Sequence, residues 1–138
     1  MPAPIAIITS DFPGSEIDIF IEILQGDGGT RAAGLTAASV ALANAGIKMK
    51  DLVYAVSAGR IGDHVTLDFD MIEDNYSDAD MPMAIAPRNN ELLLLQMDGG
   101  LTIEQFDEAV KMAIGAGKTI SALQRDALKR VYETQVSK

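Results

Sequence analysis

The strongest secondary-structure signals lie in EIDIFIEILQGDGGTRAAGLTAASVALANAG, residues 16–46. Residues 16–25 alternate strictly between two faces, and isoleucine occupies every second position from 17 to 23. Period two and β-branched side chains are typical of a strand, so this segment is the clearest strand prediction in the chain. The glycine-rich residues 26–29 end it.

Residues 30–46 predict a helix rich in alanine and other small side chains. Thr30 can cap its start, and Gly46 can end it. Because small side chains let a neighbouring element approach closely, we expect this helix to be buried.

Two hairpins are predicted farther along the chain. The first joins residues 52–61 to residues 64–70 across Gly62-Asp63, a favourable two-residue turn. In its second strand Val65, Leu67 and Phe69 would share one face. The second hairpin joins residues 81–87 to residues 91–97. Its four consecutive leucines, 92–95, favour burial on both faces.

A long helix is predicted from about residue 103 to residue 135. Thr102 and Gln105 form a capping box at its start, and apolar residues recur at steps of three and four along it. Gly115 and Gly117 weaken this helix by about 1 kcal/mol each, which close packing or a bend would explain. The order β-α-β-β-β-β-α predicts an α+β fold with a mixed or antiparallel sheet.

Composition indicates one soluble globular domain. The chain has 138 residues, of which 22% are charged, so it can bury a normal core and is not disordered. It has no cysteine and no segment typical of a signal peptide or a membrane span, so we expect a cytoplasmic protein without a membrane partner. The net charge of −9 argues against a general nucleic-acid binder, since an acidic surface repels polyanions.

The segment GDGGTRAAG, residues 26–34, is a candidate phosphate site. A glycine-rich turn before a helix presents backbone N–H groups to an anion, and the helix N-terminus adds positive potential. Thr30 adds a hydroxyl group and Arg31 a guanidinium group suited to phosphate. The alternative is a tight turn whose glycines only permit the backbone path. The segment matches neither GxxxxGK[ST] nor GxGxxG.

The segment MIEDNYSDADMP, residues 71–82, places four carboxylates close together. Like charges at this range are costly unless the segment is solvated, holds a cation or keeps one carboxyl protonated. Asp78 and Asp80 share a face if the segment is extended, and Asp74 could join them if the chain bends back. It is not an EF-hand, but two or three carboxylates suit Mg²⁺ or Mn²⁺. With a phosphate site, they favour phosphoryl or phosphodiester chemistry, whereas the lone His64 is better explained as a surface strand residue than as a base.

The same segments resemble RNase PH-type phosphorolytic exoribonucleases. The resemblance rests on GGTR at a strand–helix junction and on EDNYSDAD before an apolar strand, and it runs from about residue 12 to residue 136. Within that superfamily the sequence is most similar to the catalytic RNase PH-like subunit of the archaeal exosome. The resemblance implies an RNase PH-like fold, of the ribosomal protein S5 domain 2-like type. Residues 1–50 would be a remnant of the first subdomain, and residues 51–138 would form the second.

The resemblance also implies an activity, which is 3′-to-5′ degradation of RNA by phosphorolysis with release of nucleoside diphosphates. Inorganic phosphate would lie against Gly29, Thr30 and Arg31. Asp80 would be the acid at the leaving 3′ oxygen. Asp74 would help hold a divalent cation, Mg²⁺ or Mn²⁺, with Asp80, or would orient the site. The implied partners are an RNA 3′ end and RNase PH-like subunits, or further copies of the chain, in a ring.

The sequence departs from the family pattern in one respect. A family subunit begins with a further N-terminal half that carries several arginines, and of that basic set only Arg31 is present here, beside Arg60 and Arg88 of unassigned role. A second hypothesis is therefore a non-catalytic half-subunit that self-assembles, because residues 16–25 would lack sheet neighbours and present an apolar edge. A third is a domain that binds phosphate or nucleotide without turnover.

Overall fold

The computed structural model describes residues 6–136, with side chains described through residue 134. A 3-10 turn at Thr9–Asp11 precedes the main elements. In chain order these are α1 (Thr30–Asn44), β1 (Tyr54–Ile61), β2 (His64–Leu67), α2 (Met71–Tyr76), β3 (Ala79–Ala86), β4 (Glu91–Leu95), β5 (Asp98–Gly99) and α3 (Ile103–Val136).

The strands form one sheet in the order β2-β1-β3-β4, and the short β5 pairs with the start of β3. All of these pairings are antiparallel. Both predicted hairpins are confirmed, and their turns place Gly62 and Asn90 at φ values of 59° and 52°. The α+β prediction is confirmed, with an antiparallel sheet.

Helix α3 packs on one face of the sheet. The core on this side joins Tyr54, Val56 and Ala58 of β1 to Ala109 and Ala113 of α3 and to the methionines of β3. The predicted capping box is confirmed, since the Gln105 N–H donates to the Thr102 hydroxyl over 3.2 Å and the Thr102 N–H donates to the Gln105 side chain over 3.0 Å.

The two glycines of α3 differ in their surroundings. A Cβ atom at Gly117 would collide with the ring of Tyr54, whereas a Cβ at Gly115 would meet nothing within 4 Å. Close packing therefore explains Gly117, and the helix runs unbroken through both positions. The predicted apolar stripe is correct through its centre, but Ile103 at its start is 79% exposed.

Helix α1 packs on the opposite face of the sheet through its smallest side chains. Ala32, Gly34 and Ser39 are buried, but several other residues of α1 are exposed, so the prediction of a buried helix is correct for one face only. The Ser39 and Thr36 hydroxyls accept hydrogen bonds from the N–H groups of Val53 and Ala55, which ties α1 to β1.

The two ends of α1 gave one wrong and one correct prediction. Gly29, in the left-handed region with φ of 54°, occupies the N-cap position, so Thr30 is the first helical residue and not the cap. At the other end Gly46 has φ of 78°, and the N–H groups of Gly46 and Ile47 donate to the carbonyls of Ala43 and Leu42. This is the glycine-terminated end that the sequence predicts.

Residues 16–25 do not form the predicted strand. They have no sheet partner among the described residues, and a strand needs a neighbour to satisfy its backbone groups. The predicted alternation of faces is nevertheless present. Ile17, Ile19 and Ile21 line an apolar cleft of about 390 Å³ against α1, whereas Phe20 and Leu24 are 88% and 96% exposed.

Three smaller predictions were wrong. Leu92 and Leu95 are partly exposed because β4 lies at the edge of the sheet, so the leucines are not buried on both faces. Strand β2 ends at Leu67 because Asp68 turns the chain at φ of 61°. The ring of Phe69 consequently packs beside Gly59, on the face of the sheet opposite Val65 and Leu67. The short elements α2 and β5 were not predicted.

Within the described residues, no helix is long and apolar enough to cross a membrane.

Candidate phosphate and carboxylate site

The glycine-rich loop lies directly against the start of the acidic segment. A Cβ atom at Gly28 would collide with the backbone oxygens of Phe69 and Asp70, so only glycine allows this approach. The Met71 N–H also donates to the Asp27 carboxylate over 3.3 Å. These contacts bring two segments more than 40 residues apart in sequence into one place.

The loop delivers the N-terminus of α1 to this place. The first N–H groups of an α-helix have no acceptor within the helix and give its end positive potential. Thr30 is half-buried there, and Arg31 is exposed, with its guanidinium 3.5 Å from the side-chain oxygen of Gln96. Because this one long contact with an amide oxygen leaves its other N–H groups exposed, Arg31 can bind an anion.

Two of the four clustered carboxylates have structural partners. Glu73 completes a capping box with Asp70 at the start of α2, since the Asp70 N–H donates to Glu73 over 3.1 Å and the Glu73 N–H donates to Asp70 over 2.8 Å. Asp78 accepts from the Gly62 N–H over 2.9 Å and from Arg60 over 3.3 Å. The Asp78 Oδ2 atom therefore holds the β1–β2 turn, and a place for Asp78 in a cation site stays a prediction.

Arg60 also has a structural role. Its guanidinium donates to the Gly62 carbonyl over 2.6 Å and to the Gly100 carbonyl over 3.4 Å, besides the Asp78 carboxylate. Arg60 therefore fastens the β1–β2 turn to the segment after β5. His64 is exposed at the start of β2, as predicted for a surface residue.

The remaining pair, Asp74 and Asp80, lines a polar cleft beside the glycine-rich loop. Asp80 lies in β3, and its Oδ1 atom is buried without a hydrogen-bond partner. Burial raises the pKa of Asp80, and the carboxylates of Asp74 and Asp98 raise it further, against the opposing effects of the Ser57 hydroxyl and the Arg31 charge. A carboxyl in such surroundings holds its proton to higher pH than an exposed one.

A single cleft of about 320 Å³ contains the sequence-predicted site residues. Its lining includes Gly29, Thr30 and Arg31 from the glycine-rich loop and the start of α1, and Asp74 and Asp80 from α2 and β3. An adjoining cleft of about 500 Å³ shares Arg31, Asp74 and Asp80. The structure thus brings together all five residues assigned to the site from sequence.

Four polar residues at these clefts were given no role from the sequence: Ser57, Ser77, Gln96 and Asp98. Asp98 reaches the site because β5 pairs with β3, with Asp98 opposite Asp80. Ser57 lies on β1 two positions from Gly59, the residue opposite Asp80. The register between the strands brings both residues to the site. The only signal for this in the sequence was the DGG segment, residues 98–100, which ends the run of leucines.

The carboxylates fit a cation only in combination with another ligand. Among the described residues, no group of three or more His, Cys, Asp or Glu side chains is arranged to hold a metal ion. The buried, unpartnered Asp80 Oδ1 is nevertheless an oxygen that a cation or a proton would satisfy. Mg²⁺ commonly takes one or two carboxylates and completes its shell with substrate phosphate and water, so Asp74 and Asp80 fit that mode.

Two domain profiles of the 3′ exoribonuclease family match the chain. Domain 1 matches residues 4–48, and domain 2 matches residues 51–116. This chain belongs to the RNase PH family of 3′ exoribonucleases. The family resemblance seen in the sequence is therefore confirmed.

Individual relatives agree with this assignment. The chain is 57% identical over 127 residues to the exosome complex component Rrp41 of Pyrococcus furiosus, which covers 92% of this chain and 51% of the relative. It is 52% identical over 130 residues to Rrp41 of Thermoplasma volcanium, covering 94% of this chain and 52% of the relative. The chain thus spans about half the length of the curated relatives it matches.

A solved structure shares the fold. The crystal structure of rice (Oryza sativa) Rrp46 matches with a TM-score of 0.72 and 24% identity, over 77% of this chain and 51% of that one. The RNase PH-like fold is thereby shown. At that identity the likeness supports the fold alone.

Proposed function

We propose that this chain carries the phosphate-binding and acid–base part of a 3′-to-5′ exoribonuclease that cleaves RNA by phosphorolysis, in the manner of an exosome-type catalytic subunit. The observation that supports the proposal is the single cleft that Gly29, Thr30 and Arg31 line together with Asp74 and Asp80. Family membership supplies the reaction class.

The loop and the N-terminus of α1 would bind the attacking inorganic phosphate. Backbone N–H groups, the Thr30 hydroxyl and the Arg31 guanidinium are donors suited to its oxygens. Phosphate is itself the nucleophile, so the protein needs no nucleophilic side chain. Its contribution is to orient the anion and offset charge as the reaction proceeds.

Asp80 would act on the leaving group. A phosphate oxygen bonds to the terminal phosphorus, and the bond from that phosphorus to the preceding 3′ oxygen breaks. The departing oxygen takes a proton from the Asp80 carboxyl and becomes the new 3′ hydroxyl, while the terminal nucleotide leaves as a nucleoside diphosphate. Burial raises the pKa of Asp80, which favours the protonated form that this step requires.

Asp74 would hold a divalent cation, Mg²⁺ or Mn²⁺, together with phosphate oxygens, and Asp80 would contribute to it only through the carboxyl oxygen that does not carry the proton. When bound, such an ion offsets negative charge on the transferring phosphoryl group. Asp74 is exposed on α2, so its carboxylate can reach a cation at the mouth of the cleft while Asp80 stays in the sheet.

An RNA 3′ end is the proposed substrate, and RNase PH-like subunits in a ring are the proposed partners, in the cytoplasm. The net charge of −9 leaves this chain few groups to bind an RNA backbone. Arg31 is the cation that acts on Asp80 in the cleft. We therefore expect partner subunits to supply much of the positive charge that holds the RNA.

The test is release of nucleoside diphosphate from a short RNA in the presence of phosphate and Mg²⁺. The expected result is release that depends on phosphate and falls at least about tenfold in Arg31→Gln, since a charge-assisted hydrogen bond is lost. Arg88→Gln is the matched control, because Arg88 lies in the exposed β3–β4 turn away from the cleft. An absence of release at every protein concentration would contradict catalysis by this chain alone.

One observation favours a second candidate, a half-subunit that assembles without turnover. Residues 16–25 have no sheet partner among the described residues, and Phe20 and Leu24 are almost fully exposed. Such exposed apolar side chains favour association. Native mass spectrometry checks this candidate, and a strict monomer across the accessible concentration range would count against it.

A further inference from the structure

The short strand β5 brings a third carboxylate to the phosphate and carboxylate site. Asp98 lies directly opposite Asp80 in the antiparallel pairing of β5 with β3. Residues paired in this way point to the same face of a sheet, with Cβ atoms about 5 Å apart. Besides burial, the nearby charges of Asp74 and Asp98 raise the pKa of Asp80. Asp80, the proposed acid, therefore has a carboxylate beside it on the neighbouring strand.

Glycine residues fix the position of Asp98. Gly99 has φ of 80°, and a Cβ atom there would collide with the backbone of Asp78, so only glycine lets β5 lie this close to β3. The Gly99 N–H donates to the Asp98 Oδ1 atom over 3.0 Å. On the other side of Gly99, the Gly100 carbonyl accepts from Arg60 over 3.4 Å. The DGG segment, residues 98–100, thus holds one carboxylate in a set place beside Asp80.

The second oxygen of this carboxylate is available to a ligand. Asp98 is exposed and lines the cleft of about 500 Å³ that Arg31, Asp74 and Asp80 also line. Its Oδ2 atom makes no hydrogen bond or salt bridge within the part of the chain that the structure describes. Among the same residues, Asp74, Asp80 and Asp98 are not arranged to hold a metal ion together. A carboxylate only accepts hydrogen bonds, so the ligand group that suits Asp98 is a neutral donor such as a hydroxyl.

The proposed reaction puts one hydroxyl group next to Asp80. The leaving 3′ oxygen that takes the proton from Asp80 belongs to the ribose of the penultimate nucleotide. In RNA the adjacent carbon of that ribose carries a 2′ hydroxyl on the same side of the ring, whereas in DNA it carries only hydrogen. When the 3′ oxygen lies at Asp80, the 2′ hydroxyl is consequently within reach of a carboxylate on the paired strand.

We propose that Asp98 selects RNA by accepting a hydrogen bond from the 2′ hydroxyl of the penultimate nucleotide. This rests on the proposed phosphorolysis, because that reaction puts the 3′ oxygen at Asp80. The two opposed aspartates then divide the work on one ribose. Asp80 supplies the proton to the 3′ oxygen, and Asp98 recognises the neighbouring hydroxyl that distinguishes ribose from deoxyribose.

Single 2′-deoxy substitutions in a short RNA test this contact. A deoxyribose at the penultimate nucleotide should lower kcat/KM for nucleoside diphosphate release at least about tenfold, since a hydrogen bond to a charged group is lost. A deoxyribose at the 5′ end of the same RNA should change it less than about twofold. In Asp98→Ala the penultimate substitution should also cost less than about twofold, because the acceptor is already gone.

The ratio of the two rates, for ribose and for deoxyribose at the penultimate position, is the decisive readout. Removing the Asp98 charge also changes the pKa of Asp80, but that change acts on every substrate alike and leaves the ratio unaffected. Asp98→Asn keeps an acceptor oxygen and should recover part of the preference for ribose. Asp63→Ala is the matched control and should keep all of it, because Asp63 is an exposed aspartate of the β1–β2 turn that lines neither cleft.

Amide NMR in buffer without phosphate detects the contact without turnover. The all-ribose oligonucleotide should shift the Gly99 amide signal, because that N–H is bonded to the Asp98 carboxylate, and the oligonucleotide with the penultimate deoxyribose should shift it less. An unchanged Gly99 signal with the all-ribose oligonucleotide would overturn the proposal, as would a preference for ribose that survives in Asp98→Ala.

The two measurements also separate this proposal from the proposed function. Phosphate-dependent release without a preference for ribose at the penultimate position would overturn the role of Asp98 and leave phosphorolysis standing. A ribose-dependent shift of the Gly99 signal without any phosphate-dependent release would support the role of Asp98 and contradict catalysis by this chain alone.

Discussion

The acidic segment holds two pairs of carboxylates that differ in what satisfies them. Glu73 and Asp78 accept hydrogen bonds from backbone N–H groups, and Asp78 also from Arg60. Asp74 and Asp80 face the cleft, and Asp80 has a buried oxygen without a partner. The first pair stabilises a helix end and a turn. The second pair keeps its oxygens available, as a site for a proton or a cation requires.

The largest expected difference between the pairs is in turnover. Asp80→Asn should lower the rate of nucleoside diphosphate release by about 10²–10⁴-fold, because an amide cannot supply the proton that the leaving oxygen needs. Asp78→Asn is the matched control two positions earlier, and it should keep the rate within about threefold. An equal loss of activity in both variants would contradict the distinction between the two pairs of carboxylates.

A smaller loss of activity is expected when the positive charge of Arg31, proposed to bind the phosphate, is removed. Arg31→Gln should raise the concentration of phosphate needed for half-maximal rate by about tenfold or more, and Arg31→Lys should recover only part of that loss because it cannot bind two oxygens at once. Initial rates at several phosphate concentrations measure this. An unchanged dependence of the rate on phosphate concentration would show that Arg31 does not bind the phosphate.

The structural pair should be visible in stability. Glu73→Gln and Asp78→Asn should each lower the free energy of unfolding by about 0.5–1 kcal/mol, since each weakens a cap or an exposed ion pair. Urea unfolding followed by circular dichroism is the measurement. A loss of several kcal/mol in either variant would mean that the carboxylate does more than cap α2 or hold the β1–β2 turn.

The smallest effect has the opposite sign. Burial raises the pKa of Asp80, so ionising it costs the folded chain more than the unfolded chain. That cost is present above the raised pKa and disappears as the pH falls below the ordinary value of 3.8. Asp80→Asn should therefore raise the melting temperature by a few degrees at pH 7 and leave it unchanged below about pH 3.5. A lower melting temperature at pH 7 would indicate an ionised Asp80 held by a partner.

Local signals predicted those parts of the fold that local contacts determine. The Thr102–Gln105 capping box, the end of α1 at Gly46 and the Gly62 turn each depend on residues within a few positions, and each is confirmed. The strand prediction for residues 16–25 was wrong because a strand also needs a neighbouring strand, and no pattern within the segment shows whether one is present.

The candidate site was predictable to a similar degree. Thr30, Arg31, Asp74 and Asp80 were assigned from motifs and family resemblance, and the structure brings them to one cleft. Asp98 and Ser57 were missed because strand register alone places them beside Asp80. The structural role of Asp78 was missed because the two groups that donate hydrogen bonds to it lie 16 and 18 residues earlier in the chain.

The most direct test of the account is a crystal structure of the chain with inorganic phosphate and Mg²⁺. The account predicts a phosphate within hydrogen-bonding distance of Thr30 and Arg31, on the side of the cleft that faces Asp80, with the cation between that phosphate and the carboxylates of Asp74 and Asp80. A phosphate bound elsewhere at concentrations that support turnover, with the cleft between Arg31 and Asp80 left to water, would contradict it.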